Sequence, residues 1–284
     1  MGTLKEALRE GFSCTDKGYV DSYRDNIFQH QMPNKFQEMF DNGSGGELRS
    51  KAEAVHSSSM LGYNFFHWVP ENPLSIDEIT YTRVFFEVKM KVFSNTTPAN
   101  MDILLIGEQN GRTKLLFIES KFLEYLESRP YKLSDRYRNV PEWSSFIKDV
   151  DKLVKSTQCK YKEGVKQGVS HLFALSNLFK EDAFNDFNNE NMLGINHILS
   201  EDIRFINLVF EPSTGYKNEY PCFERYRDLY CGFIDIVKKY NHIKVKPEFM
   251  TYTKLWNEIE QQIKDANEDL HQYLYHRYMR HTQV

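Results

Sequence analysis

Cysteine is scarce and forms no pattern. The four thiols, Cys14, Cys159, Cys222 and Cys231, stand at no zinc-ligand spacing. That excludes a zinc-finger reading and predicts free, buried thiols in a reduced, cytoplasmic protein. Long apolar runs are also missing. No stretch reaches about 18 residues, so no transmembrane helix is expected. The N-terminal MGTLKEALREGFSCTDKGY is charged and amphipathic, without the apolar core of a signal peptide. Net charge is only −4, so a contact with nucleic acid must come from a local basic surface. No P-loop, GxGxxG or GxSxG pattern occurs, which gives nucleotide-driven and serine-hydrolase readings no support. The histidines offer no zinc pair: His276 and His281 are five apart, which does not favour one helical face. Internal repeats and low-complexity tracts are absent.

What is present can build a core. The chain has 284 residues, 40% of them hydrophobic, with 17 Tyr and 21 Phe. This excludes a disordered tail and suits one large domain or two small ones. Residues 1–50 read as short helices, with Pro33 interrupting one, and DNGSGGE (41–47) as a loop. HSSSMLGYNFFHWV (56–69) reads as a helix capped by a serine at 57–59. ITYTRVFFEVKMKVF (79–93) is rich in β-branched and aromatic residues and reads as one or two strands. YLESRPYKLSDRYRNVPEW is a polar, mostly irregular insertion. Residues 144–180 read as helix, IRFINLVFEP (203–212) as a strand, and the segments from Tyr226 and from Tyr252 as amphipathic helices. The order predicts an α/β layered domain with a mainly sequential sheet.

MDILLIGEQNGRTKLLFIESKF (101–122) carries the most specific information. Asn110-Gly111 demands a two-residue turn with positive φ at both positions. The register follows: Gln109 faces Arg112, Gly107 faces Lys114, Leu105 faces Leu116, and Asp102 faces Glu119. Side chains alternate along a strand, so Lys121 shares a face with Glu119, and Asp102 joins them from across. Opposed Cβ atoms lie about 4.5–5.5 Å apart, where two carboxylates repel. A divalent cation between them removes the repulsion, and oxygen-only ligands suit Mg²⁺. The alternative is a salt-bridge cluster in which Lys121 pairs with both acids. Leu115, Leu116, Phe117 and Ile118 are apolar on both faces, so the strand is expected to be central and covered.

Asp102, a hairpin, then Glu119-Ser120-Lys121 resembles the motif of the PD-(D/E)xK nuclease superfamily. The resemblance covers roughly residues 52–212, where the expected elements follow an α-β-β-β-α-β order. The helix HSSSMLGYNFFHWV is similar to a Ser-Ser-x-x-Leu-x-x-Asn-Phe-Phe helix of a little-characterised restriction-endonuclease-like branch. The resemblance implies a restriction-endonuclease-like core at 51–212, a central mixed β-sheet flanked by helices. Helical additions occupy 1–50 and 213–284. By the same resemblance Asp102, Glu119 and the Ser120 carbonyl bind Mg²⁺, for which Mn²⁺ substitutes. Lys121 activates water and stabilises the developing charge, and Gln167, on a helix with His171, positions Lys121 or a phosphate. Met101 stands where the family has proline. The family's additional helix acid has no obvious counterpart; Glu53 precedes the first helix of the motif and Glu87 lies on the preceding strand, and Glu87 is favoured because its strand neighbours the hairpin.

A phosphodiesterase needs cations that grip the backbone. Arg129, Lys132, Arg136 and Arg138 lie in the insertion that follows Lys121, interleaved with Tyr131 and Tyr137. Lys148, Lys152, Lys155, Lys160, Lys162 and Lys166 form a second basic run, also readable as a solvated helix face. His56, Ser58 and His171 complete the candidate substrate contacts. The C-terminal YLYHRYMRH offers Tyr and Arg for stacking, or aromatics for the core. The resulting expectation is a Mg²⁺-dependent DNA endonuclease acting on double-stranded DNA, with homodimerisation and a defence role implied by the family. The alternative is an inactive nuclease-fold protein that binds nucleic acid or a partner protein.

Overall fold

Asn110 and Gly111 take φ of 53° and 72°, the two positive values that a tight hairpin turn requires. From this turn the expected register runs outward, Gln109 opposite Arg112 through Ile103 opposite Ile118. The computed structural model describes residues 2–43, 46–49, 51–93 and 96–282. The loop expected at 41–47 lies partly outside the described residues.

Among the described residues six strands form one sheet in chain order: β1 (Leu74–Ile76), β2 (Ile79–Met90), β3 (Ala99–Gln109), β4 (Arg112–Lys121), β5 (Ile203–Val209) and β6 (Pro247–Thr251). The first four pair antiparallel. β5 then joins β4 in parallel and β6 joins β5 in parallel. The architecture is therefore α/β with a mixed, sequential sheet. Region 79–93 is one strand, not two. β1 and β6 were not anticipated: β1 has three residues, and β6 starts on a proline, which a strand tolerates at its first position. The segment 213–284 is thus not wholly helical, since it supplies the last strand.

The helices are α1 (Leu4–Ala7), α2 (Asn34–Asn42), α3 (Ser58–Phe66), α4 (Asp135–Arg138), α5 (Ser144–Ser156), α6 (Glu163–Asn177), α7 (Glu181–Glu190), α8 (Tyr220–Lys238), α9 (Tyr252–Ala266) and α10 (Glu268–Arg277). Ser57 caps α3 through its hydroxyl and the Met60 N–H. Pro33 precedes α2 instead of breaking it. The helix expected over 144–180 divides into α5 and α6, and the C-terminal one divides at Asn267, which caps α10. No helix among the described residues is long and apolar enough to cross a membrane.

Both faces of the central strands are covered, as their apolar runs require. On one face α3 packs at close range, because Gly62 brings its backbone to the sheet. A Cβ there would meet Ile103 Cδ1 at 2.8 Å and Ser120 Oγ at 3.6 Å. On the other face lie α6 and α8. Asn207 Nδ2 donates to the Tyr226 hydroxyl of α8 (3.0 Å), and Asn207 pairs with Glu119 in the β4–β5 ladder. The C-terminal aromatics divide: Tyr278 is buried beside Leu274, Tyr273 is half-buried and Tyr275 is exposed. Asn64 of α3 is buried as well, donating to the Asn26 carbonyl and the Tyr278 hydroxyl, both at 2.9 Å.

Candidate active site

The β3–β4 ladder ends one rung before the two acids. β3 continues beside β2 to Ala99, while β4 continues beside β5 to Lys121. A gap opens between them. Asp102 and Glu119 are therefore not a hydrogen-bonded rung, as direct continuation of the register implied. Instead Asp102 Oδ2 accepts the backbone N–H of Ser120 at 2.7 Å. The exchange has a physical reason: it satisfies a donor that has lost its strand partner and staggers two carboxylates that would otherwise oppose each other. N–H and C=O of one strand residue point the same way, so the Ser120 carbonyl also faces this gap. The Ser120 side chain turns to the opposite face, where its hydroxyl donates to the Ser58 carbonyl (3.0 Å) and meets the Tyr252 hydroxyl at 2.8 Å.

Glu119 and Lys121 form a closed pair. Lys121 Nζ donates to Glu119 Oε1 at 2.5 Å, with side chains 6% and 5% exposed respectively. Burial opposes the charge on Lys121, but Glu119, Tyr161 and Asp102 outweigh it and hold the ammonium firmly protonated. Asp102 behaves oppositely. Burial and then Glu119 raise its pKa well above the carboxylate range, with Lys121 opposing and Glu87 adding to the rise. Glu87 is buried and pushed up to about 7, first by burial and then by Glu47; Asn100, donating at 2.9 Å, offsets part of this. It is thus not an exposed strand carboxylate. Its φ of 52° lies in the left-handed region, a strained backbone of the kind that accumulates at functional sites.

His171 is brought to the same place. Its ring is 3% exposed, with Nδ1 3.6 Å from Glu119 Oε2 and Nε2 3.0 Å from the Asn100 carbonyl. Expected as a substrate contact, it is buried by α6 against the acid and also lines the neighbouring cleft. Gln167, one turn earlier, accepts from the Tyr161 hydroxyl at 3.5 Å. Tyr161 in turn feels the Lys121 charge, so Gln167 relates to Lys121 through a phenol instead of by direct contact.

The basic candidates separate in space. Arg136, Lys166, Gln167, His171 and Asn100 line a cleft of about 490 Å³, which opens onto the residues that touch the acids. Lys132 is exposed nearby in the same insertion. Arg129 is engaged by Glu127 (2.7 Å) and Glu163 (3.1 Å). Arg138 is paired with Asp151. The Ser58 carbonyl accepts from Ser120 Oγ on the opposite face of β4, away from the acids. His56 is half-buried at the start of α3, and burial followed by the Lys5 charge lowers its pKa to about 4.

One acid escaped sequence reasoning. Glu47 opens a short 3-10 helix (Glu47–Arg49) well before the sheet, yet it is buried and held by Lys51 Nζ (2.7 Å) and Ser59 Oγ (3.1 Å). It acts electrostatically on Glu87. No local pattern marks it, because folding alone brings it there.

In charge and donor type these residues fit a divalent ion. Asp102, Glu87 and Glu119 are mutually repulsive carboxylates near one lysine, and Glu119 Oε2 is buried without a hydrogen-bond partner. They do not form a closed cage. Among the described residues no group of three or more His, Cys, Asp or Glu is placed to hold a metal. Further ligands would have to be backbone and water, as Mg²⁺ sites commonly use. No protein-family model matches the chain, and no curated protein or solved structure matches it either.

Proposed function

We propose that the chain is a metal-dependent DNA endonuclease built on a restriction-endonuclease-like core. The observation that supports this most is the placement of Asp102, Glu119 and Lys121 at one opening between two neighbouring strand ends, with the Ser120 backbone turned to the same gap. Asp102, Glu119 and the Ser120 carbonyl would hold Mg²⁺ or Mn²⁺. A bound divalent ion supplies a water of lowered pKa and neutralises charge on the scissile phosphate. Lys121 would steer the attacking water and stabilise the charge that builds on the phosphate oxygens. Gln167 and Tyr161 would keep Lys121 in place. Arg136 and Lys166 at the cleft, with Lys132 from the same insertion as Arg136, would hold the flanking phosphates, with Glu87 and Glu47 tuning the acids. Double-stranded DNA is the proposed substrate and a homodimer the proposed assembly.

The test is incubation of plasmid DNA with Mg²⁺ or Mn²⁺, comparing the wild type with Asp102→Ala and Lys121→Ala. Cleavage by the wild type alone supports the reading; equal cleavage, or none by any, removes it. A second reading is favoured by the closed Lys121–Glu119 pair at 2.5 Å: an inactive nuclease-fold protein that binds nucleic acid or a partner protein. It predicts DNA retention without cleavage in either ion.

A further inference from the structure

His171 and Glu119 present two unpartnered acceptors to each other. The Asn100 carbonyl can only accept, so its 3.0 Å contact with His171 Nε2 places the imidazole proton there and leaves a lone pair on Nδ1. That Nδ1 stands 3.6 Å from Glu119 Oε2. Both atoms are buried and neither has a hydrogen-bond partner. Two buried lone pairs facing each other cost free energy unless something positive lies against both.

We propose that His171 Nδ1 and Glu119 Oε2 are ligands of one divalent ion, and that this nitrogen directs the site to a first-row transition ion, Mn²⁺ through Zn²⁺, in preference to Mg²⁺. The inference rests on the metal-dependent reading above and narrows it. Two ligands about 2.1 Å from one ion lie roughly 3–3.5 Å apart at ordinary bond angles, so 3.6 Å needs only a small contraction. Imidazole suits first-row transition ions, whereas Mg²⁺ keeps to oxygen and water. The Asn100 carbonyl on Nε2–H is the outer contact that a ligating histidine ordinarily makes. The Asn100 side chain continues the network to Glu87 at 2.9 Å. His171 also lines the Arg136 cleft, which offers ion and water a way in.

The experiment uses the full chain stripped of metal. Calorimetric titration with Mn²⁺ and with Mg²⁺ is made on the wild type, His171→Ala and Asp102→Asn, and Co²⁺ absorption is recorded on the same proteins. Wild type should bind Mn²⁺ at least about tenfold tighter than Mg²⁺, and His171→Ala should lose about tenfold or more for Mn²⁺ with Mg²⁺ almost unchanged. The visible bands of bound Co²⁺ should change in His171→Ala. Should that variant not fold, the wild type decides: Mn²⁺ must selectively broaden the His171 ring resonances, and unbroadened resonances with bound Mn²⁺ defeat the proposal. Equal affinity for both ions, unaffected by His171→Ala but abolished by Asp102→Asn, leaves the metal reading intact and removes His171 as a ligand. No ion bound by the wild type removes both.

Discussion

Asp102 accepts the backbone N–H of Ser120 at 2.7 Å, one residue beyond the last rung between its strand and the next. One carboxyl group therefore does two things: it completes a hydrogen bond that the parted strands leave open, and it places an ionisable group in the gap, where burial and then Glu119 oppose its charge. The two can be separated. Asp102→Asn keeps an acceptor for Ser120 and can carry no charge, so without metal it should be as stable as the wild type or more so. Asp102→Ala should lose about 1–3 kcal/mol, the cost of a stranded donor. Urea denaturation of both variants in chelator checks this; equal stability would show that the hydrogen bond carries no weight.

Lys121→Met should be severely destabilising. It leaves Glu119 buried without its 2.5 Å partner, and breaking a buried pair costs about 3–5 kcal/mol. Adding Glu119→Gln should recover most of the loss. The comparison needs only denaturation midpoints, and a single variant that costs under about 1 kcal/mol would refute the closed pair.

Glu87 sets a pH dependence. Its pKa rises from 4.5 to about 7 on folding, so the folded state favours the protonated acid. The associated stability is complete below about pH 4.5 and is lost as pH rises through 7. Glu87→Gln should flatten the stability profile over this window and stabilise the protein at pH 8, by something on the order of 1–3 kcal/mol. Melting temperatures from pH 4.5 to 8 in chelator would show it, and parallel profiles for the two proteins would contradict it.

Much of this site is legible in the sequence because a turn and an alternation rule determine it. Asn110-Gly111 fixed the hairpin, and the hairpin grouped Asp102, Glu119 and Lys121. The apolar run Leu115–Ile118 correctly announced a covered central strand. Other parts had no local signature. Glu47 reaches Glu87 only after the N-terminal segment folds over the sheet. The burial of His171 depends on how α6 lies, not on its spacing from Gln167. The strand starting at Pro247 is too short and too polar to stand out, and the parting of β3 from β4 follows from their different neighbours.

Gly62→Ala tests the packing behind the site. Its added methyl would meet Ile103 Cδ1 at 2.8 Å, so Ile103 must shift beneath the outer end of the hairpin. A loss of about 1–3 kcal/mol is expected, together with weaker divalent-ion binding, because Ser120 sits on the same contact. Unchanged stability and ion affinity would show that α3 does not support the strand end.

The most direct measurement is anomalous diffraction from crystals of the full chain soaked in Mn²⁺. The account predicts one strong peak in the gap bounded by Asp102, Glu119 and the Ser120 carbonyl, absent from Asp102→Asn crystals. A fully soaked crystal with no peak there, or the same peak in both proteins, would contradict it.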